Sequence, residues 1–340
     1  MQPMKFALIG TGNIATTYVK AMGRIADGEI IAVVSRSDDR AESFAKQHSI
    51  PEWSERLDTI GGDIDGIIIA TPNGLHWRDT CAAAALGKHV LTEKPLDITI
   101  KSMERMILSC RESGVKLGVA YQHRFHPVNR KVKELLARGA LGTVRALEVS
   151  AKFYRGQEYY DSAGWRGTWD IDGGGPFMQQ GSHTIDLMGW FFGKPATLIA
   201  RTATLGHDIP VEDHGVCIME FENRALGTLT ASTITSPGYN PRIEVYTDKG
   251  SFIMVNNEMV EWNIDDIDNP GASSNFSSHS GASSASVADT TLHERVVEDF
   301  IGAVHENREP LVHGEEASRA TEIILGIYES AKTKRAIPLK

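Results

Sequence analysis

The sequence predicts an α/β domain followed by an α+β domain built on a large, mostly antiparallel open sheet. Three observations carry this reading. Residues 5 to 121 alternate short, fully apolar runs with helical stretches, the pattern of a parallel sheet covered on both faces. After residue 127 the pattern changes to successive short strands joined mostly by turns, which favours antiparallel pairing. A chain of 340 residues is long enough for two domains. The expected division is 1–124 and 125–340.

The first strand is KFALI, residues 5–9, and Gly10-Thr11-Gly12-Asn13-Ile14-Ala15 follows at once, with a helix expected over 14–26. This is GxGxxA in the strand–turn–helix setting that gives the motif its meaning, the dinucleotide-binding Rossmann arrangement. Gly10 permits the tight turn, Gly12 lets the backbone approach a pyrophosphate, and Ala15 lets helix and strand pack closely. Asn13 and Ile14 open the helix whose free N–H groups face the phosphates. The second strand is EIIAVV, 29–34. Where an acid would bind the ribose 2′-hydroxyl the chain has Ser35 and Arg36. A hydroxyl and a guanidinium suit a 2′-phosphate, so the reading leans to NADP. If Arg36 instead stacks on adenine, NAD is equally usable.

Helices are expected at 38–48 and 54–60, and GIIIA, 66–70, is a third buried strand. It ends in Thr71-Pro72-Asn73-Gly74-Leu75-His76, so Thr71 and Asn73 fall on the same sheet edge as Gly12. An alanine-rich helix at 76–86 leads to a strand at 89–91 and then to Glu93-Lys94-Pro95. A lysine at the end of a buried strand is costly to desolvate unless its charge is used. Pro95 pushes Lys94 into extended backbone, at the edge where open α/β sheets bind ligands. A helix at 99–113 and a strand at 116–121 complete this domain.

In the second domain a helix at 128–138 precedes strands at 143–153, 197–204, 214–221, 226–235, 242–248 and 251–255. Gly173-Gly174-Gly175 opens a helix expected over 176–192, with Pro176 at its first position. On that helix Gln179, His183 and Asp186 are spaced i, i+4 and i+7 and share one face. The loop 154–175 is rich in aromatics, Arg and Gly, a composition suited to a sugar, base or phosphate. Its Tyr159 and Tyr160 fit either a ligand surface or aromatic packing. Residues 268–290 read as a flexible Ser- and Gly-rich loop, and helices at 291–306 and 315–333 close the chain.

Net charge is −9, which argues against nucleic acid or an anionic membrane as partner. No run of 18 apolar residues exists, and the early first strand is read as leaving no room for a signal peptide. Cys81, Cys110 and Cys217 are far apart, odd in number and in no metal spacing, so no metal site and a reducing, cytoplasmic setting are expected.

GTGNIA, TPNGLH, EKP and HRFHP (123–127), in this order and spacing, resemble the glucose–fructose oxidoreductase and inositol dehydrogenase family, Gfo/Idh/MocA. The resemblance covers nearly the whole chain and implies a nicotinamide dinucleotide, NADP or NAD, with Lys94 catalytic. It implies that Thr71, Asn73, His76, Glu93 and Lys94 line the nicotinamide half and that the Lys94–Pro95 bond is cis. It places Trp165 and Arg166 near the cofactor and matches His183 to the family's catalytic histidine. Gln179 stands where many sugar and inositol dehydrogenases carry Asp, a departure that points to the branch acting on nucleotide-linked N-acetylhexuronates. The implied reaction oxidises a secondary alcohol of a sugar-like substrate. His183 is general base, Lys94 stabilises alkoxide, and Gln179, Asp186 and Tyr160 are further substrate contacts, with Asp186, at i+3, either orienting His183 or only its neighbour. The resemblance also implies a homodimer or homotetramer. Two rivals stand beside it: a glycosidase or lyase working by transient oxidation, and a non-catalytic sugar or cofactor sensor.

Overall fold

The structure is a computed structural model of the chain and describes residues 2–271 and 289–339. It divides into two compact units. One runs to Gln122 and takes in a later segment ending at Ser318, and the other starts at His123 and includes Arg319 to the end.

The first unit alternates β1 (Met4–Ile9), α1 (Asn13–Met22), β2 (Gly28–Val34), α2 (Asp38–His48), β3 (Glu52–Ser54), β4 (Gly66–Ile69), α3 (His76–Ala85), β5 (His89–Thr92), α4 (Ile100–Glu112) and β6 (Leu117–Val119). The six strands are parallel, in the order β3-β2-β1-β4-β5-β6. The strand order reverses between β1 and β4, which is where an open α/β sheet binds a dinucleotide. The side chains of β4 are buried throughout, as expected of a strand covered on both faces. α1 stops earlier than expected, at Gly23. The helix expected at 54–60 shrinks to a turn of 3-10 helix over Leu57–Thr59, preceded by the unforeseen edge strand β3.

The second unit contains α5 (Pro127–Ala137), β7 (Val144–Lys152), α6 (Gln157–Asp161), α7 (Ser182–Phe192), β8 (Thr197–Ala203), β9 (His214–Glu220), β10 (Leu226–Ser232), β11 (Arg242–Thr247), β12 (Gly250–Val255) and β13 (Glu258–Ile264). The chain then forms α8 (Thr291–His305), α9 (Gly314–Thr333) and β14 (Ile337–Pro338). The sheet order is β13-β12-β11-β7-β10-β9-β8-β14, antiparallel except for β7 beside β10. One face carries the core, where Val128 and Val132 of α5, Ile185 and Met188 of α7, and Ile323 and Ile327 of α9 pack with the inward residues of the strands. The other face alternates outward and leaves Ile199, Val216, Ile218, Leu226 and Tyr246 exposed.

Three expectations need correction. The second domain does not hold everything after residue 124, because α8 belongs to the first unit. Val296, Val297, Phe300 and Ile301 form its buried face. Phe300 lies 6.3 Å from Phe6, and a side chain at Gly118 would come within 2.7 Å of the Phe300 ring. The glycine is the gap into which α8 packs. Next, the helix expected from residue 176 starts at Ser182. Residues 176–181 form tight turns, so Gln179 does not share a helical face with His183. Finally, β13 was not foreseen. Asn256 and Asn257 both take positive φ, 49° and 72°, and form a two-residue hairpin turn that Asn tolerates. The Ser- and Gly-rich segment lies mostly outside the described residues.

Candidate active site

The first unit gathers its candidate residues along the C-terminal edge of the parallel sheet. Gly10 has φ 114°, and a Cβ there would stand 2.4 Å from the Ala70 carbonyl, so only glycine fits the turn against β4. Gly12 is exposed, and a Cβ on it would meet nothing within 4 Å, which leaves the approach to its backbone open. Gly12 caps α1 without a side-chain bond, and the first turn carries no acid. The free N–H groups at Asn13 and Ile14 therefore suit a phosphate. Ser35 is buried and its hydroxyl lies 3.2 Å from that of Thr11, while Arg36 is exposed. An open groove beside Thr11 is lined by Asp39, Arg40, Ser43, Phe44 and Gln47 of α2. These features fit a dinucleotide laid across the switch point.

Further along the edge, Asn73 is buried and the Thr71 hydroxyl donates to Asp79 Oδ2 at 2.9 Å. His76 is fully buried and spans two backbone carbonyls, Thr71 O at 2.9 Å and Pro95 O at 2.8 Å. It therefore ties the loop after β4 to the loop after β5, a bracing position that differs from the expected direct contact with cofactor. Glu93 is buried. Its Oε1 accepts from Tyr18 at 2.8 Å and its Oε2 from the Lys94 backbone N–H at 3.2 Å. Burial pushes the Glu93 carboxyl up, partly countered by the Lys94 charge and the Tyr18 bond. Lys94 itself is half-buried at the sheet edge, and its bond to Pro95 is cis.

In the second unit His183 is the second residue of α7 and half-buried. Its ring centroid lies 4.8 Å from that of His123. The Gln179 amide donates to Asp172, which also accepts from the Gly167 N–H at 2.7 Å. The three glycines before Pro176 allow another stretch of this same chain to come close. A Cβ at Gly174 would stand 2.0 Å from the Tyr328 hydroxyl, and one at Gly175 would stand 1.7 Å from the Glu212 carbonyl.

Two expected substrate contacts are corrected. Asp186 is buried, and Arg124 donates to both its oxygens, from Nε at 2.9 Å and from Nη2 at 2.7 Å. A carboxylate clamped in this way is part of the core, not a substrate contact. Tyr160 is buried too, its hydroxyl 2.8 Å from Thr233 Oγ1 and its ring 4.8 Å from His207. The neighbouring Tyr159 takes the more prominent place. The Arg166 guanidinium lies 4.2 Å from its ring and that of Arg155 5.6 Å, while Arg166 also lies 4.9 Å from Trp165. Gln180 Nε2 donates to the Tyr159 hydroxyl at 3.3 Å, three residues before His183. This places a cationic, aromatic platform beside the start of α7. Burial lowers the Arg155 pKa and raises that of Tyr159. The sequence reading did not single out Tyr18, Arg124, Arg155 or Glu212. The only signals were a tyrosine on the helix after the glycine turn and the arginines of HRFHP and of the aromatic loop.

Residues 4–121 match the oxidoreductase family with an NAD-binding Rossmann fold, and residues 129–253 match the GFO/IDH/MocA C-terminal domain. The chain belongs to the Gfo/Idh/MocA family. It is 26% identical to 1,5-anhydro-D-fructose reductase of Ensifer adhaerens, over 99% of this chain and 98% of that one. It is 29% identical to D-xylose 1-dehydrogenase (NADP(+)) 2 of Haloferax volcanii, over 99% and 100%. Among solved structures it is similar to the WlbA dehydrogenase of Bordetella pertussis in complex with NADH and UDP-GlcNAcA. The TM-score is 0.88 at 28% identity, covering 100% of this chain and 99% of that one. This Gfo/Idh/MocA protein is thus a nicotinamide-dependent oxidoreductase that acts on CH–OH groups of sugars or sugar derivatives. NAD(H) suits its Rossmann domain. Among the described residues no helix is long and apolar enough to cross a membrane, and no cluster of His, Cys, Asp and Glu is placed to hold a metal.

Proposed function

We propose that this enzyme oxidises a secondary alcohol on a nucleotide-linked N-acetylhexuronate, with NAD(H) or NADP(H) as hydride carrier. The observation that carries the substrate class is the Arg155–Tyr159–Arg166 platform, whose tyrosine is bonded to Gln180 just before α7. Paired guanidiniums on an aromatic face suit a diphosphate or carboxylate, which a free polyol lacks. The likeness to a dehydrogenase solved with UDP-GlcNAcA supports the same class.

The bound nicotinamide accepts the hydride. Gly12 and the start of α1 seat the pyrophosphate. Trp165 and Arg166 hold the nicotinamide side, and Ser35 with Arg36 takes the adenosine ribose and admits a 2′-phosphate. Asn73 and Glu93 position the nicotinamide ribose, with Thr71 and His76 shaping the loops that carry them. Lys94 hydrogen-bonds the substrate oxygen and stabilises developing alkoxide charge. His183 takes the hydroxyl proton, a task that imidazole suits at neutral pH. Gln179, held by Asp172, faces the substrate with its amide.

The exposed apolar residues of β8, β9, β10 and β11 support assembly into a homodimer or homotetramer through that sheet face. Three free cysteines support a reducing, cytoplasmic setting. A thermal-shift grid tests the substrate class, using NAD(H) or NADP(H) with UDP-GlcNAcA or myo-inositol. A further shift with UDP-GlcNAcA on top of cofactor is expected. A response to myo-inositol alone would overturn the assignment.

A further inference from the structure

His123 lies outside the roles assigned above, yet the second unit spends several buried polar groups on holding its ring. Asn129, fully buried on α5, donates from Nδ2 both to the His123 carbonyl and to Asn257 Oδ1, each at 2.8 Å. Asn257, buried in the hairpin turn between β12 and β13, in turn faces His123 Nδ1, with its Nδ2 at 2.8 Å and its Oδ1 at 3.0 Å. The amide therefore serves Nδ1 in either protonation state, donating to a bare nitrogen or accepting from an N–H. The other side of the ring lies against His183, centroid to centroid 4.8 Å with the planes at 59°. If the ring only filled space, an apolar side chain would serve without burying two asparagines, and burying amides costs stability unless they are hydrogen-bonded.

We infer that His123 is a positioning residue for His183. Its ring, anchored through Asn257, is the wall that sets the rotamer of the His183 imidazole. The chain Asn129–Asn257–His123 links α5 and the β12–β13 hairpin to the first turn of α7. The inference rests on the reading of His183 as general base, and it concerns the orientation of that base.

The test uses full-length protein labelled with 15N and observes the His183 imidazole in long-range 1H–15N spectra, without substrate. In wild type one tautomer of His183 dominates. In His123→Ala and Asn257→Ala its nitrogen shifts move toward tautomer averaging, while backbone amides away from the hairpin stay in place. His123→Phe keeps a ring but gives Asn257 nothing to hold, so its His183 shifts should lie between those of wild type and His123→Ala. Turnover of NAD+ with UDP-GlcNAcA should fall about tenfold to a hundredfold in kcat for His123→Ala, with KM nearly unchanged. Unchanged His183 nitrogen shifts in both His123→Ala and Asn257→Ala would overturn the inference, as would unchanged kcat where His183→Ala is inactive. Full activity of His183→Ala would instead overturn the catalytic reading, and the spectra would still decide whether His123 sets the ring.

Discussion

Tyr18 donates its phenol to Glu93 Oε1 at 2.8 Å and so joins the helix after the glycine turn to the peptide that carries Lys94. Both groups are buried, and the same carboxylate accepts the Lys94 backbone N–H. One hydrogen-bonded pair thus couples α1 to the placement of Lys94.

Removing that bond by Tyr18→Phe should cost about 1–2 kcal/mol, because a buried acceptor loses its partner. The sign of its pH dependence follows from burial. The Glu93 carboxyl is held above its ordinary value, so its protonated form is favoured in the fold, and stability declines as pH rises through the folded pKa. The Tyr18 bond opposes this shift. The loss in Tyr18→Phe should therefore be larger at pH 8 than at pH 5, measured by urea denaturation at the two pH values.

Glu212 gives a second pH signature. Burial pushes its carboxyl up to about 7, although Tyr328 at 2.9 Å and the Gly175 N–H at 3.0 Å both donate to it. The group favours the fold when protonated. Its contribution is fully present below pH 4.5 and lost as pH rises to about 7. The swing is of order 3 kcal/mol. Glu212→Gln, which cannot ionise, should flatten the dependence of Tm on pH between 5 and 8 relative to wild type.

The Arg124–Asp186 pair is buried on both sides, each side chain 1% exposed. Asp186→Ala strands the guanidinium and should cost about 3–5 kcal/mol in denaturant unfolding. Arg124→Met combined with Asp186→Leu should recover most of that loss. If Asp186 touched substrate instead, the single change would raise KM with little effect on stability.

Arg36 is the proposed partner of a 2′-phosphate. Arg36→Glu should lower kcat/KM for NADP by about tenfold or more while sparing NAD, since it replaces a phosphate partner with a like charge. Steady-state kinetics with both cofactors measure the ratio.

Much of this was legible in the chain. KFALI followed by GTGNIA specified a strand, a glycine turn and a helix, because each glycine answers a local steric demand. EKP placed Lys94 at a sheet edge by the same local logic. What local pattern could not show was long-range pairing. Asp186 looked available on a helical face until Arg124, 62 positions away, was seen to clamp it. Tyr160 and Tyr159 are adjacent and chemically alike, and only tertiary packing buries one against His207 and stacks the other on Arg166. The return of α8 to the first unit depended on Gly118, a vacancy that becomes visible only when Phe300 fills it.

The most direct test of the catalytic account is NADH formation at 340 nm with NAD+ and UDP-GlcNAcA, comparing wild type with Lys94→Ala and following cofactor binding in parallel. The account predicts turnover in wild type, a loss of at least about a hundredfold in kcat for Lys94→Ala, and NAD+ affinity within a few-fold of wild type. Undiminished turnover in Lys94→Ala would contradict it.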